Sequence, residues 1–86
     1  GRRRDDEGLM AEIMKQYPAH KARVEQFHAQ GKVLMIGTFA DPLKDGSMGV
    51  WRTREDIEEF MAGDPFVTNG LLRSWRILEW NESLFS

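Results

Sequence analysis

The 86-residue sequence predicts an α+β sandwich, and three observations carry the prediction. Apolar residues recur at helical spacing through the first third of the chain. Two short apolar runs then flank a turn-rich segment, the pattern of a hairpin. A second helical stripe precedes a final run that alternates apolar and polar. Helical and alternating periods of this kind, taken in order, distinguish layered α+β domains from all-helical or all-strand ones.

The elements follow in order. Leu9, Met10, Ile13, Met14 and Tyr17 fall on one helical face. Asp5, Asp6 and Glu7 precede them, where a helix N-terminus favours negative charge. Residues 1–8 read as a tail or the remnant of a strand. Pro18 is expected to interrupt the helix, because the residue before a proline avoids the α region. A second helix then opens with Pro18 in its first turn, where its missing N–H costs nothing. His20, Val24 and Phe27 share one face of that helix at i, i+4 and i+7, while Lys21, Arg23, Glu25 and Gln26 are expected to point elsewhere. Gly31 ends it as a left-handed cap.

Residues 32–39 read as a strand apolar on both faces, with Val33, Met35 and Phe39 on one side and Leu34 and Ile36 on the other. Two-sided apolarity implies an inner strand or one covered on both sides. Asp41, Pro42, Asp45 and Gly46 make the turn, and residues 47–52 return as the second strand. Thr53 with Asp56 resembles a capping box, ahead of a buried stripe of Ile57, Phe60 and Met61. Gly63 stops that helix, and Asp64 caps a short turn beginning at Pro65. Asn69-Gly70 is a turn, and residues 72–80 alternate as a last strand. The tail, 81–86, carries Leu84 and Phe85 for docking on a neighbour. The order α-β-β-α-β, with a central hairpin, suggests a split βαβ arrangement, the ferredoxin-like sandwich. That fold begins with a strand, and none is evident before Leu9.

Bulk properties narrow the function. The length gives one domain over 1–86, with modest burial for its size. Three tryptophans, five phenylalanines and five methionines are a heavy apolar load, part of which is expected at a subunit interface. A net charge of −2 argues against a dedicated nucleic-acid binder, and the one basic run, Arg2-Arg3-Arg4, is neutralised by Asp5-Asp6-Glu7. The absence of cysteine removes disulfides and thiol nucleophiles and fits a reducing cytoplasm. No apolar run has the length of a membrane span.

Two titratable residues stand out. His20 sits on an apolar helical face, where a solvated imidazole has no reason to be. Asp64 sits at a strong cap position with proline behind it and Phe66 next. Brought together they make an acid/base couple, since imidazole exchanges protons near neutrality and a fixed carboxylate orients it. The bland reading of each is also available: a hydrogen-bonded core histidine and a helix cap. His28 falls at the edge of the stripe and reads as surface or boundary. Phe66, Phe39, Met35 and Trp51 could line a pocket for a flat ligand, and Gly37 and Thr38 could present donors to it. Ser47 and Arg73 are weaker candidates. Two histidines eight apart without cysteine give no metal-ligand spacing, and no glycine-rich phosphate loop or nucleotide-cofactor motif is present. No metal and no cofactor are expected.

The segments Pro18-Ala19-His20, 31–37 (Gly-Lys-Val-Leu-Met-Ile-Gly), Asp45-Gly46-Ser47, Thr53-Arg54-Glu55 and 63–70 (Gly-Asp-Pro-Phe-Val-Thr-Asn-Gly), with 71–80 as the last strand, resemble the YciI-like, or YCII-related, family in order and spacing. The likeness covers residues 17–80. It implies a βαββαβ ferredoxin-like fold, dimerising sheet against sheet, and a site made of the helix histidine and the Asp-Pro-Phe aspartate, which map onto His20 and Asp64. It also implies cofactor-free acid/base work on small aromatic or enol-type molecules, including loss of a leaving group. The family often has proline where this chain has Thr38. The first strand of such a fold lies inside the sheet, and upstream residues missing from this chain are the expected explanation for its absence.

The reading is therefore a cytoplasmic homodimer binding a small organic molecule, with neither nucleic acid nor membrane as partner. His20 would move the proton and Asp64 orient it, in a lyase- or isomerase-like step. The rival is a non-catalytic small-molecule-binding or dimeric interaction module in which the His–Asp pair is structural. Cofactor-independent oxygenation is a third option.

Overall fold

The computed structural model of the protein describes residues 4–72 and 74–83. In chain order the elements are α1 (Arg4–Ala29), β1 (Val33–Thr38), the single turn α2 (Pro42–Asp45), β2 (Ser47–Trp51), α3 (Arg54–Gly63) and the single turn α4 (Pro65–Thr68). The architecture is α+β, with β1 and β2 forming an antiparallel two-stranded sheet.

α1 corrects two expectations. It begins at Arg4, so 4–8 are helix and not tail or strand remnant, and it continues through Pro18 without a break. The proline removes one N–H, the one that would have bonded the Met14 carbonyl. Met14 and Pro18 are both exposed, so water can take that place and the helix survives. At the other end the expected left-handed cap is present, with Gly31 at φ 74°. Lys32 N–H donates to Phe27 O and Gly31 N–H to His28 O, the two bonds that close a Schellman motif.

That closure turns the chain into β1. Val33 pairs with Trp51, and the register then slips by one before Met35 pairs with Val50, leaving Leu34 as a bulge. Val33 is buried; beyond the bulge, Leu34, Met35 and Ile36 are exposed. β1 is therefore not the covered inner strand that its composition implied, since among the described residues nothing lies over that part of it. Between the strands, the expected turn closes as α2, with the Asp41 carboxylate accepting from Lys44 N–H. Thr53 caps α3 as expected, its Oγ1 accepting from Asp56 N–H at 3.2 Å.

The buried core is a ring cluster where α1, the start of the sheet and α3 meet. Phe27, Val33 and Phe60 are its centre, with Val24, Trp51 and Met61 packed against it. Phe27 meets Phe60 edge-on at 5.2 Å between centroids, and Trp51 lies 4.9 Å from Phe60. Each such buried side chain contributes about 1.5–3 kcal/mol. Val24 and Phe27 of α1 and Phe60 and Met61 of α3 thus pack as expected, whereas Met14 and Tyr17 of the expected first stripe are exposed.

The final segment does not. Residues 74–80 carry no regular secondary structure and join no ladder, so the last strand predicted over 72–80 is absent among the described residues. An alternating sequence makes a strand only where an edge accepts its hydrogen bonds. Trp75, Leu78 and Trp80 are left exposed. Leu84 and Phe85 lie outside the described residues, as do Arg2, Arg3 and Arg73. The radius of gyration, 14.0 Å, exceeds the ~12 Å of a compact chain of this length, in keeping with the long α1.

Candidate active site

Asp64 is placed by its neighbour. Pro65 excludes the α region for the residue before it, so Asp64 leaves α3 with extended angles, φ −75° and ψ 130°. Its backbone carbonyl accepts from Val67 and Thr68 N–H and opens α4. Its side chain makes no cap bond, which corrects the capping expectation. Instead the carboxylate reaches α1: Asp64 Oδ1 lies 2.8 Å from His20 Nδ1, across 44 residues of sequence. The fold thus brings the two side chains singled out in the sequence within hydrogen-bond distance.

The geometry fixes the proton. A carboxylate only accepts, so Nδ1–H of His20 is the donor and Nε2 is left with the lone pair. The Asp64 side chain is 1% exposed, whereas that of His20 is 18% exposed. Exchange with solvent or ligand is therefore open to the imidazole and closed to the carboxylate. The second oxygen, Asp64 Oδ2, is buried without a hydrogen-bond partner among the described residues.

Phe66 holds the ring from one face. Its centroid is 4.0 Å from that of His20 and the planes are within 10°, a stacked pair. The Phe66 backbone is pinned in turn by a second helix-end closure: Leu71 N–H donates to Phe66 O, with Gly70 at φ 69°. Phe60 meets the imidazole edge-on at 6.0 Å and Tyr17 lies tilted at 6.3 Å. Neither was singled out as a site residue, although Tyr17 precedes His20 by one helical turn and Phe60 precedes Asp64 by one.

The other candidates divide. Gly37, Thr38 and Phe39 line an open apolar groove of about 280 Å³ on the hairpin, together with Met35, Ile36, Met48 and Val50. This groove shares no residue with the His20–Phe66 stack. Trp51 belongs to the core and not to the groove. Ser47 is exposed opposite Thr38. His28 is exposed, with its Nδ1–H donating to Val33 O at 3.1 Å, so it braces the helix end, as a boundary residue does. Arg73 lies outside the described residues. Arg23 corrects an expectation: it turns inward, over the rings of Phe27 and Phe60. Its place one turn after His20 was the available signal.

Among the described residues no group of histidine, cysteine or carboxylate side chains is arranged to hold a metal ion. No described helix is long and apolar enough to cross a membrane.

No curated protein and no solved structure gives a significant match to the chain. A family model described as the YCII-related domain matches residues 2–81, which takes in all of α1 as well as the Gly63–Gly70 segment that carries Asp64 and Phe66. The chain belongs to the YCII-related domain family.

Proposed function

We propose that this protein catalyses a cofactor-independent proton transfer, lyase- or isomerase-like, on a small enol-type or aromatic molecule. The observation that carries the reading is the 2.8 Å His20–Asp64 bond, which leaves Nε2 as the free base on a partly exposed ring. His20 Nε2 takes a proton from a carbon next to a carbonyl, and the C–H electron pair moves into the enolate. That pair then either expels a leaving group from the adjacent carbon or recaptures the proton at another position. Asp64 keeps the tautomer and stabilises the imidazolium without touching substrate, as the buried acid does in hydrolase triads. Phe66 fixes the ring plane. Gly37, Thr38 and Phe39, expected to bind substrate, lie in the separate hairpin groove and have no part in this step.

The exposed hairpin face and the exposed Trp75, Leu78 and Trp80 support a homodimer, since apolar area of this kind marks an interface. In this reading the dimer completes a ferredoxin-like sandwich around the two-stranded sheet. The lack of cysteine suits a reducing setting such as the cytoplasm.

The test reads the chemistry without a known substrate. A panel of enolisable carbonyl and haloaromatic compounds is incubated in D₂O, and deuterium incorporation or halide release is followed by NMR. Wild type is expected to turn over one or more members. His20→Asn, which keeps a donor for Asp64 but no base, is expected to lose at least ~10²-fold. Turnover of the same compounds by His20→Asn at the wild-type rate would remove the imidazole from the mechanism.

A further inference from the structure

Arg23 turns inward from α1 onto the end of α3. Its Nε–H donates to Phe60 O at 3.2 Å and its Nη2–H to Glu59 O at 2.9 Å. The guanidinium also lies 4.8 Å from the Phe27 centroid and 5.5 Å from that of Phe60. These carbonyls belong to the closing turns of α3, a helix with no basic residue in its own last turn. A cation there satisfies the helix end and complements its dipole.

Two rungs therefore join α1 to α3 and its continuation. Arg23 grips Glu59 and Phe60, and His20, one turn earlier on α1, meets Asp64, one turn after Phe60. Gly63 completes the fit. A Cβ at Gly63 would lie 2.7 Å from Arg23 Nη2 and 2.9 Å from its Cζ, so no larger residue can stand there while the guanidinium keeps its place. Gly63 is a helical residue without a positive φ, so its backbone does not call for glycine; the close approach of Arg23 does.

From this clamp we infer that Arg23, admitted by Gly63, is a positioning residue that sets the distance between the His20 imidazole and the Asp64 carboxylate. This rests on the proton-transfer reading but acts on the His20–Asp64 bond itself, so it can fail while that reading stands. The guanidinium fixes where α3 ends on α1, and Asp64 follows that end directly. Loss of the clamp frees Asp64 to drift from Nδ1, and the imidazole then loses its fixed tautomer.

The experiment uses the full chain with ¹⁵N-labelled histidine and reads the tautomer of His20 by NMR, with His28 as the internal reference. Wild type is expected to show the Nδ1–H form. Arg23→Ala is expected to lower the ratio of Nδ1–H to Nε2–H by about tenfold, within the coupling seen among residues of one network. Gly63→Ala is expected to do the same, although alanine is the better helix former. Arg23→Lys, which can still reach one carbonyl, is expected to restore part of the ratio. Gly31→Ala, a destabilising change at the far end of α1, is expected to leave it unaltered. A wild-type tautomer ratio in Arg23→Ala and Gly63→Ala overturns the inference, as does an equal change in Gly31→Ala. If Arg23→Ala fails to fold, Gly63→Ala decides alone. Turnover by the catalytic variants plays no part in this outcome.

Discussion

Replacing His20 separates the cost of the buried acid from the chemistry of the base. In His20→Ala, Asp64 Oδ1 loses its partner while Oδ2 already has none among the described residues, so a carboxylate 1% exposed is left uncompensated. Breaking a buried pair from one side costs about 3–5 kcal/mol. The 18% exposure of His20 places this pair at the lower end, ~3 kcal/mol, because water reaches one partner. The lost stack on Phe66 adds about 0.5–1.5 kcal/mol, and the better helix propensity of alanine returns roughly 0.6 kcal/mol. A loss of ~3 kcal/mol lowers Tm by roughly 12–24 °C in a domain of this size. His20→Asn places an amide donor where Nδ1–H stood and forfeits mainly the stack, so its loss should stay near ~1 kcal/mol. Urea denaturation of both variants, compared at constant m, measures the difference. Equal losses in the two variants would show that the Asp64 bond contributes nothing to stability, and the buried carboxylate would then need no partner.

Other consequences are open to simpler measurement. Phe60→Ala removes the ring shared by Phe27, Trp51 and His20, and should cost ~3–5 kcal/mol in the same denaturation assay. Gly31→Ala meets no atom within 4 Å, so its expected loss of about 1–2 kcal/mol is entirely the left-handed backbone; a neutral result would contradict the φ of 74°. Met35→Lys places charge on a groove side chain that is 67% exposed, and sedimentation should show a dimeric wild type converted to monomer with its fold intact. A monomeric wild type at tens of micromolar, on the order of the weaker stable dimers, would end the interface proposal.

Much of the site was legible because its signals are local. Gly31 must follow a helix, Thr53 must begin one, and the proline after Asp64 forces that residue out of α3, wherever the rest of the chain goes. The apolar stripe of His20, Val24 and Phe27 pointed the imidazole inward for the same reason. What periodicity could not give was the set of partners. Pro18 reads as a break because its cost is judged from sequence alone, whereas the residue whose carbonyl it orphans, Met14, is exposed. Residues 72–80 alternate like a strand, but a strand needs a neighbour, and alternation does not say whether one exists. Helical spacing puts Arg23 off the His20–Phe27 face, yet its aliphatic stem and planar head suit a ring face and a helix end together.

The tryptophans divide in a way that bears on how this molecule reports on itself. Trp51 packs in the ring cluster, while Trp75 and Trp80 stand 56% and 64% exposed. Intrinsic emission is thus a mixture of one indole that senses unfolding and two already in contact with water. On heating, only Trp51 exchanges a packed environment for water, so the spectral change should come from that one indole. A partner settling over the exposed pair should instead shift the emission to shorter wavelength, making fluorescence a better gauge of association than of denaturation.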